Sequence, residues 1–445
     1  MVFIGGDYNF RNVKRENMIE KYGVEFDEYG NKLTNAEVTI ICLTYNHISY
    51  VRKTLEGFLM QRTTFPIKVF IFDDASTDGT SDVVIEYANK YPDIFYAVVA
   101  RKNTYSLKQR EDIFYELVQE NMNGKYSAWC EGDDYWIYEY KLQYQYDFME
   151  KNLQTSICMH NAIRYNETNG EVIPQILNMN SGYENEDEIF SCLHGRIPTA
   201  SYFWRSDLVD FNAEFFKICP VTDEPLRIWL GYKGEVYYID KVWSVRNYLH
   251  ENSWNYMMQG DKEKKSKHNY RYLNYLRKID GLTEKKYHKQ ICQSYFDFCK
   301  SEVELAYTDG MHENELLQKV NELKDKYQNA FNNEFDEAYT IVRRNCAETI
   351  EVLRAISNDH LKKLYIYGAG IQGKEAIRFF EKNQIEFDGV VVSKGGHGND
   401  GAYNVYEIDE VCGNSEIKFF YLALRKKYRD EVIELLKEKG IQNIL

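Results

Sequence analysis

The sequence lacks several features that mark particular classes of protein. Its nine cysteines form no CxxC pair and their total is odd. This pattern favours free thiols in a reducing cytoplasm over a disulfide framework or a zinc site. The first residues show no apolar stretch behind a basic one, so we expect no secretory signal and a cytoplasmic protein. No apolar run reaches the roughly 18 to 20 residues that a membrane span requires.

Positive charge is also scarce. The formal net charge is −14 at pH 7, which argues against nucleic-acid binding because neutralising phosphates requires a basic surface. Residues 261–290 are the exception, with ten Lys or Arg against four Asp or Glu. Interleaved tyrosines make this segment a candidate for contact with anionic lipid on the inner membrane face, although a basic helix is also commonly just a solvated face.

The composition that is present describes a globular protein with a sizeable core. Hydrophobic residues make up 44% of the chain and charged residues 28%, as in ordinary folded domains. A length of 445 residues predicts two to four domains at roughly 150 residues each. The 38 tyrosines either supply the flat, polar-tipped faces of a sugar-handling protein or simply fill cores and surfaces.

Apolar runs and helical periods alternate along the first part of the chain. Short β-branched runs predict buried strands at 38–45, 68–74, 94–100 and 126–134, and helical spacing predicts helices at 51–61 and 81–91. This rhythm predicts an α/β fold with a parallel sheet and functional loops at the carboxyl ends of its strands.

The pattern changes three times, which predicts the domain organisation. After the first block, residues from about 140 to 255 mix short strands with aromatic-rich loops, those from 260 to 355 have helical periods, and α/β alternation resumes near Leu361. The predicted segments are an N-terminal extension at 1–36, a first α/β domain at 37–258, a helical segment at 259–356 and a small α/β domain at 360–445.

Carboxylates recur where predicted strands end. The groups are Asp73 with Asp74, then Glu131, Asp133 and Asp134, and finally Asp223 with Glu224. Acids crowded at one sheet edge repel each other unless a cation or hydrogen-bond donors face them, and their oxygens suit Mg²⁺ or Mn²⁺. Turn and cap chemistry is the favoured explanation for any one group taken alone, but their joint occurrence at strand ends reverses that preference and favours a site.

Four ordered motifs resemble a family 2 glycosyltransferase of the GT-A fold. They are VTIICLTYNHISYVRKTLEGFL, FIFDDASTDGT, GKYSAWCEGDDYW with KLQYQYDFME, and TDEPL followed by GEVYYIDKVWSVRNYLHENSW, all within about 37–255. The resemblance implies transfer of a sugar, with inversion, from a nucleoside-diphosphate sugar, most naturally a UDP-sugar, during bacterial surface-polysaccharide synthesis. Two positions depart from the family pattern, since Leu43 replaces a proline and Glu131 opens the metal motif in place of aspartate.

The resemblance also assigns roles to residues. Asp133 would hold Mn²⁺ or Mg²⁺, with Glu131 facing ribose or a metal-bound water, and His250 would complete the metal shell or contact the diphosphate. Asp223 would be the catalytic base. The donor pocket would be formed by residues of the first three motifs and of the loop between the second and third, namely Thr44, Tyr45, Asp73, Asp74, Lys108, Glu131 and Asp133, with Arg110 as a further diphosphate candidate. Trp136 is expected to pack beneath the acidic loop, and 194–205 to border the acceptor.

A glycine motif stands in the last segment. Gly368, Gly370 and Gly373 follow the strand LYIY and open a helix, a context that can hold a diphosphate. The acid that an NAD site requires at the end of the second strand is absent, since Ser393 and Lys394 occupy that place. The segment resembles small Rossmann-like domains of bacterial surface-polysaccharide enzymes, so structural or partner-docking use, nucleotide binding and redox catalysis all stay open, in falling order of preference.

Three functional hypotheses follow from these observations. The first is an active, metal-dependent transferase acting on a glycan, lipid-linked or protein acceptor, with a homo-oligomer as a possible assembly. The second is a catalytically silent GT-A scaffold, which retention of every acidic position disfavours. The third is a bifunctional enzyme whose last domain binds a nucleotide or nucleotide sugar.

Overall fold

A computed structural model of the protein describes most of the chain. The described residues are 16–32, 34–107, 110–166, 170–176, 180–191, 197–217, 219, 223–248, 262–307, 313–369, 371–393, 403–412, 417–423 and 426–445. Contacts divide the chain into two compact units, an N-terminal unit of residues Met1–Cys292 and a C-terminal unit of residues Gln293–Leu445. The division lies inside the helical segment predicted at 259–356.

The N-terminal unit is a mixed α/β structure. Its strands are β1 Phe26–Gly30, β2 Val38–Thr44, β3 Ile67–Asp73, β4 Phe95–Ala100, β5 Tyr126–Trp129, β6 Tyr135–Trp136, β7 Thr155–Asn166, β8 Glu171–Pro174, β9 Gly182–Tyr183, β10 Phe203–Arg205 and β11 Glu235–Tyr248. Its helices are α1 Glu16–Tyr22, α2 Val51–Leu59, α3 Thr80–Lys90, α4 Arg110–Asn121, α5 Lys141–Lys151, α6 Glu186–Ser191, α7 Glu214–Lys217, α8 Asp223–Lys233 and α9 Lys262–Leu282, and α10 His288–Ala306 crosses into the next unit.

In the described part of the chain these strands form one sheet of 11 strands. The main path runs β1-β4-β3-β2-β5-β10-β7-β11-β6, with β8 paired to β7 and β9 to β11. Strands β4, β3, β2 and β5 are parallel to one another, while β10 is antiparallel to both β5 and β7. The carboxyl ends of β2, β3 and β5 therefore meet at the same edge of the sheet.

The first strands and helices follow from their apolar residues. All seven residues of β2 are buried, as expected for a strand covered on both faces. On α2, Val51, Leu55 and Phe58 are buried at a spacing that puts them on one helix face. Part of the 38 tyrosines of the chain is used in the core, where Tyr96, Tyr115 and Tyr126 are among the largest fully buried side chains.

Three sequence-based expectations for this unit need correction. The segment 1–36 is not only an extension, because β1 pairs antiparallel with β4 at the sheet edge and buries Phe26 and Tyr29. The strand predicted over 126–134 ends at Trp129, so the acidic motif lies in the turn that follows. The block from 140 to 255 contains long strands rather than only short ones, since β7 has 12 residues and β11 has 14.

The C-terminal unit contains helices followed by a second sheet. Its elements are the rest of α10, then α11 Glu313–Lys326, α12 Asn332–Ser357, β12 Lys362–Tyr367, α13 Ile371–Lys382, β13 Gly389–Val392, β14 Val405–Glu407, α14 Ile408–Val411, β15 Ile417–Leu422, α15 Lys426–Glu438 and β16 Asn443–Ile444. The strand order is β14-β13-β12-β15-β16, and every pairing among them is parallel. Taken in chain order this is 3-2-1-4-5, an order of doubly wound α/β sheets. The predicted fold class, a GT-A-like α/β domain followed by helices and a small parallel α/β sheet, is confirmed.

Candidate active site

Backbone hydrogen bonds extend β2, β3 and β5 beyond their last residues and join their ends. The Asp74 amide donates to the Thr44 carbonyl at 3.0 Å, and the Gly132 amide donates to the Leu43 carbonyl at 2.9 Å. The first and second acidic groups of the sequence therefore flank the end of β2.

The two aspartates that end β3 have separate structural partners. Asp73 is fully buried, and its carboxylate accepts bonds from the Ser76 hydroxyl at 2.6 Å and the Ser81 hydroxyl at 2.7 Å. Burial raises the pKa of Asp73, although these hydrogen bonds act in the opposite direction. Asp73 thus holds the loop between β3 and α3.

Asp74 holds the loop after β4 in a similar way. Its Oδ1 accepts from both the amide and the hydroxyl of Thr104 at 2.6 Å, and its Oδ2 accepts from the Tyr105 amide at 3.1 Å. A carboxylate offers about four acceptor positions, so the loop uses most of them. Asp74, which is only 1% exposed, thus fixes the shape of this wall of the site.

The loop after β2 carries His47, which the sequence reasoning did not single out. The Asn46 amide donates to the Ser76 hydroxyl at 2.9 Å, and the His47 amide donates to the Thr80 hydroxyl at 2.8 Å. These bonds tie the loop to the start of α3. They bring the His47 ring beside Thr44, whose Oγ1 lies 3.3 Å from His47 Nδ1.

The acidic turn 131–134 is packed tightly against the same residues. A Cβ on Gly132 would lie 2.5 Å from Thr44 Oγ1, so only glycine fits there. The buried Thr54 hydroxyl of α2 donates to the carbonyls of Gly132 at 3.0 Å and Asp134 at 2.7 Å. Backbone packing therefore fixes where the acidic side chains begin.

Asp133 and Asp134 have different surroundings in this turn. Asp133 Oδ2 lies 3.8 Å from His47 Nε2, and the Asp133 side chain is 16% exposed. Asp134 is buried and accepts from the Asn247 amide of β11 at 3.0 Å. Burial and the neighbouring Asp133 raise the pKa of Asp134 well above its usual range, against the effect of Arg246. Asp133 is thus the more exposed member of the pair.

Trp136 links the acidic turn to the region of Asp223. Its indole Nε1 donates to the Ala200 carbonyl at 2.7 Å, and only 2% of the residue is exposed, as expected for a side chain that packs in the core. In the same 3-10 turn, Thr199–Ser201, the Thr199 hydroxyl donates to Asp223 Oδ2 at 3.2 Å. Part of the predicted acceptor border 194–205 thus contacts the predicted base, while its first residues lie outside the described ones.

Asp223 and Glu224 begin α8 but interact with different neighbours. Asp223 is half-buried and bonded to Thr199. Burial and the adjacent Asp223 raise the pKa of Glu224 well above its usual range, while Arg227 and Tyr272 of α9 act in the opposite direction. Glu224 therefore lies on the side of α8 that meets α9, and Asp223 lies on the side of the 3-10 turn.

The predicted metal set is only partly visible. His250 and Lys108 lie outside the described residues, and the side chain of Arg110 is likewise not described. Among the described residues, no group of three or more His, Cys, Asp or Glu side chains is arranged to hold an ion. Asp133 with His47 does offer a carboxylate oxygen and an imidazole nitrogen, donors that fit a divalent ion whose remaining ligands come from substrate oxygens or water.

Other predicted residues take the following positions. Thr44 is buried at the end of β2, Tyr45 beside it is 39% exposed, and Glu131 is half-buried in the acidic turn. The structure therefore brings Thr44, Tyr45, Asp74, Glu131 and Asp133 to one sheet edge. Sequence reasoning missed His47, Thr54 and Asn247, and their one local signal was that His47 stands in the loop just after the first strand.

Comparison with known proteins identifies this part of the chain. Residues 39–210 match the family described as Glycosyl transferase family 2. They form a family 2 glycosyltransferase domain. The matched residues include β2 to β5 and the acidic turn, so the site described above lies within the domain, apart from Asp223 and β11.

Individual relatives match over shorter stretches. An uncharacterized protein of Mycobacterium tuberculosis, Rv1520, is 37% identical over 123 residues, which are 28% of this chain and 34% of that protein. The putative teichuronic acid biosynthesis glycosyltransferase TuaG of Bacillus subtilis is 30% identical over 112 residues, or 25% of this chain and 41% of that protein. The chain thus spans about a third to two fifths of the length of these curated relatives.

A solved structure is also similar to this chain. The structure of Staphylococcus aureus TarS residues 1–349, a complex with UDP, aligns with 69% of this chain and 92% of its own at 14% identity and a TM-score of 0.41.

The glycine turn of the C-terminal unit has its own geometry. Gly368 has a φ of 118°, and a Cβ on Gly373 would lie 1.9 Å from the Gly368 carbonyl oxygen. Gly370 lies outside the described residues. The Tyr367 hydroxyl lies 2.9 Å from the Ser393 hydroxyl, at the place where an NAD-binding unit carries its acid, and Asp388 instead accepts from the Leu364 amide at 2.8 Å at the other end of the strands.

Proposed function

We propose that the N-terminal unit transfers a sugar, with inversion, from a nucleoside-diphosphate sugar, UDP-linked by preference, to a hydroxyl group of an acceptor in bacterial surface-glycan synthesis. The observation that carries this proposal is the meeting of Asp74, Asp133 and His47 at one sheet edge inside a family 2 glycosyltransferase domain. The name of TuaG, a putative teichuronic acid biosynthesis enzyme, supports the assignment to surface glycans.

The leaving diphosphate needs charge neutralisation more than it needs a proton. Asp133 would hold the divalent ion, Mn²⁺ or Mg²⁺, with His47 beside it, and the bound ion would stabilise the developing negative charge. Asp134 is not expected to serve this purpose, because it is buried and bonded to the Asn247 amide. Its task is to fix the turn from which Asp133 projects.

The acceptor hydroxyl requires a base on the opposite side of the sugar ring. Asp223 is proposed for this role because its carboxylate is oriented by Thr199, next to the turn that Trp136 supports. General-base assistance of this kind typically contributes about 10²–10⁴-fold. Asp74, Thr44 and Tyr45 would hold the base and ribose of the donor.

The nucleotide pocket is proposed to take its shape from two loops. Asp74 fixes Thr104 and Tyr105, and Asp73 fixes the loop that begins at Ser76, so both walls are set before a donor arrives. Such preorganisation lowers the ordering cost of binding. Tyr45, which is partly exposed, offers a ring at the mouth of this pocket.

A screen of UDP-, GDP- and dTDP-sugars with Mn²⁺ tests the proposal. We expect release of nucleoside diphosphate with one donor class, lost on EDTA treatment and restored by Mn²⁺, and at least about 10²-fold slower in Asp133→Ala. The matched control is Asp147→Ala, which removes an exposed carboxylate of α5 bonded to Gln143. Full activity of Asp133→Ala, or full activity in EDTA, would contradict the metal assignment. Donor binding without turnover in the wild-type protein would instead favour a silent scaffold.

A further inference from the structure

The outer face of α9 concentrates the positive charge of an otherwise acidic protein. Between Lys264 and Lys278 the sequence contains six Lys or Arg residues and no Asp or Glu. At 3.6 residues per turn, Lys264, Lys267, Arg271 and Lys278 fall within an arc of about 60°, and all four are exposed. They form a continuous basic stripe along the helix.

With Lys264 at 0° and the stripe spanning 300° to 360°, an adjoining arc of α9 from about 20° to 180° is packed, so the helix has a fixed orientation. Its Leu273, Leu276 and Ile279 are no more than 3% exposed. Tyr275 contacts Phe215 of α7, with ring centroids 5.7 Å apart. The helix therefore cannot rotate to hide its basic stripe.

An apolar residue continues the basic stripe at its end. Leu282 follows Lys264 by 18 residues, which is about five turns and the same side of the helix, and it is 49% exposed. A stripe of Lys and Arg that ends in an exposed leucine matches a membrane surface, where headgroups take the charges and the leucine enters the interface. A dissolved anionic polymer would give the leucine no partner.

We propose that this outer face of α9 binds the surface of an anionic membrane. The packed side of the same helix adjoins Glu224 through Tyr272. The inference rests on the proposed function only where it assigns a lipid-linked acceptor to the enzyme, which a transferase held at a membrane surface can reach. The binding itself does not depend on catalysis.

The net charge of −14 does not prevent this contact at physiological ionic strength. The Debye length there is about 8 Å, so lipid headgroups respond to the stripe that touches them and much less to the rest of the protein. Binding should therefore be strongest at intermediate salt. It should weaken at very low salt, where the whole negative protein is repelled, and at 1 M salt, where the stripe is screened.

Co-sedimentation of the full chain with phosphatidylglycerol–phosphatidylcholine vesicles tests the proposal. Changing Lys264, Lys267, Arg271 and Lys278 together to Gln should weaken vesicle binding at least about tenfold. The control variant changes four exposed lysines elsewhere in the N-terminal unit to Gln, Lys32, Lys125, Lys151 and Lys241, and should bind like the wild type. Leu282→Asn should weaken binding with no change in charge.

Several outcomes would overturn the proposal. The first is equal sedimentation of the stripe and control variants. The second is wild-type binding to pure phosphatidylcholine vesicles at the same strength as to the anionic vesicles. The third is tighter binding to soluble dextran sulfate than to vesicles at equal anionic charge, which would assign the face to an anionic polymer. Donor hydrolysis measured without vesicles separates this proposal from the proposed function. The stripe variant should retain that hydrolysis. If donor hydrolysis were absent from the wild type and all variants, this would count against the catalytic assignment alone.

Discussion

Two adjacent carboxylates at the start of α8 show how residue-level surroundings decide a role. Asp223 accepts a hydrogen bond from Thr199, whereas the pKa of Glu224 is raised by burial and by Asp223. Sequence alone cannot distinguish them, because both stand in the same TDEPL motif. Their contacts place Asp223 toward the acceptor border and Glu224 toward α9.

Asp223→Asn should therefore remove transfer while leaving donor binding intact. The substitution keeps shape and the contact with Thr199 but cannot accept a proton, so we expect a loss of at least about 10²-fold in kcat. Donor affinity, measured by titration with the nucleoside diphosphate, should stay near that of the wild type.

Glu224→Gln is the matched comparison for this prediction. It should change stability more than catalysis, since the side chain lies where α8 meets α9. If Glu224→Gln proved inactive and Asp223→Asn active, the base would be the neighbouring residue.

At the scale of elements, α5 begins with an unusual residue. Lys141 is fully buried at the first position of the helix, its Nζ donates to Gln145 Oε1 at 2.8 Å, and it lies 4.0 Å from the centroid of the Trp136 ring. Burial lowers the pKa of Lys141 to about 7, and a helix N-terminus also disfavours a positive charge. The lysine thus lies against the Trp136 ring as a largely neutral amine above this pH.

This arrangement predicts a distinct dependence of stability on pH. Between about pH 7 and pH 10 the unfolded chain keeps the Lys141 proton and the folded chain does not, so the free energy of unfolding should rise by about 1.4 kcal/mol per pH unit from this group. Below pH 7 both states bind the proton, and the contribution is constant and unfavourable.

Urea titrations of wild type and Lys141→Met across pH 6 to 10 measure this effect. The difference in free energy of unfolding between the two proteins should shift in favour of the wild type as the pH rises. Comparing slopes rather than absolute values avoids the separate cost of leaving Gln145 Oε1 without its donor. Parallel curves would mean that Lys141 stays charged in the folded protein.

At the scale of the whole molecule, charge is distributed unevenly along the chain and the packing is divided between two units. Most of the chain is acidic, yet α9 carries a basic face. The described helices include none long and apolar enough to cross a bilayer. The two compact units each have their own sheet and core, which predicts that they respond separately to local damage.

Gly373→Ala tests this independence in the C-terminal unit. Its Cβ would lie 1.9 Å from the Gly368 carbonyl oxygen, so the turn between β12 and α13 must move at a cost of about 1–3 kcal/mol. Calorimetry should show one unfolding transition shifted down by several degrees while the other stays in place.

Gly281→Ala provides the control in the N-terminal unit. Nothing lies within 4 Å of its added Cβ, and alanine in a helix is favoured over glycine by about 1 kcal/mol. In Gly281→Ala we expect the unfolding transition of the N-terminal unit to stay constant or rise slightly. A shift of both transitions in Gly373→Ala would indicate that the units unfold as one.

The sequence by itself determined the order of the buried strands and helices, because apolar periodicity is a local property of each segment. It also predicted that acids would meet at the carboxyl ends of β2, β3 and β5, since parallel strands bring those ends together. It failed for β1, whose sequence FDEYG is polar on average and becomes a strand only by pairing with β4.

Only the tertiary structure decided which side chains complete the site. His47 reaches Asp133 across 86 residues of sequence, Asn247 reaches Asp134 across 113, and Thr199 reaches Asp223 across 24. The burial of Lys141 behind Trp136 was equally hidden, since lysine at a helix start normally lies in solvent. Periodicity and composition describe which face of an element is apolar, but contacts between distant residues depend on how the elements pack, and that is fixed by the folded chain as a whole.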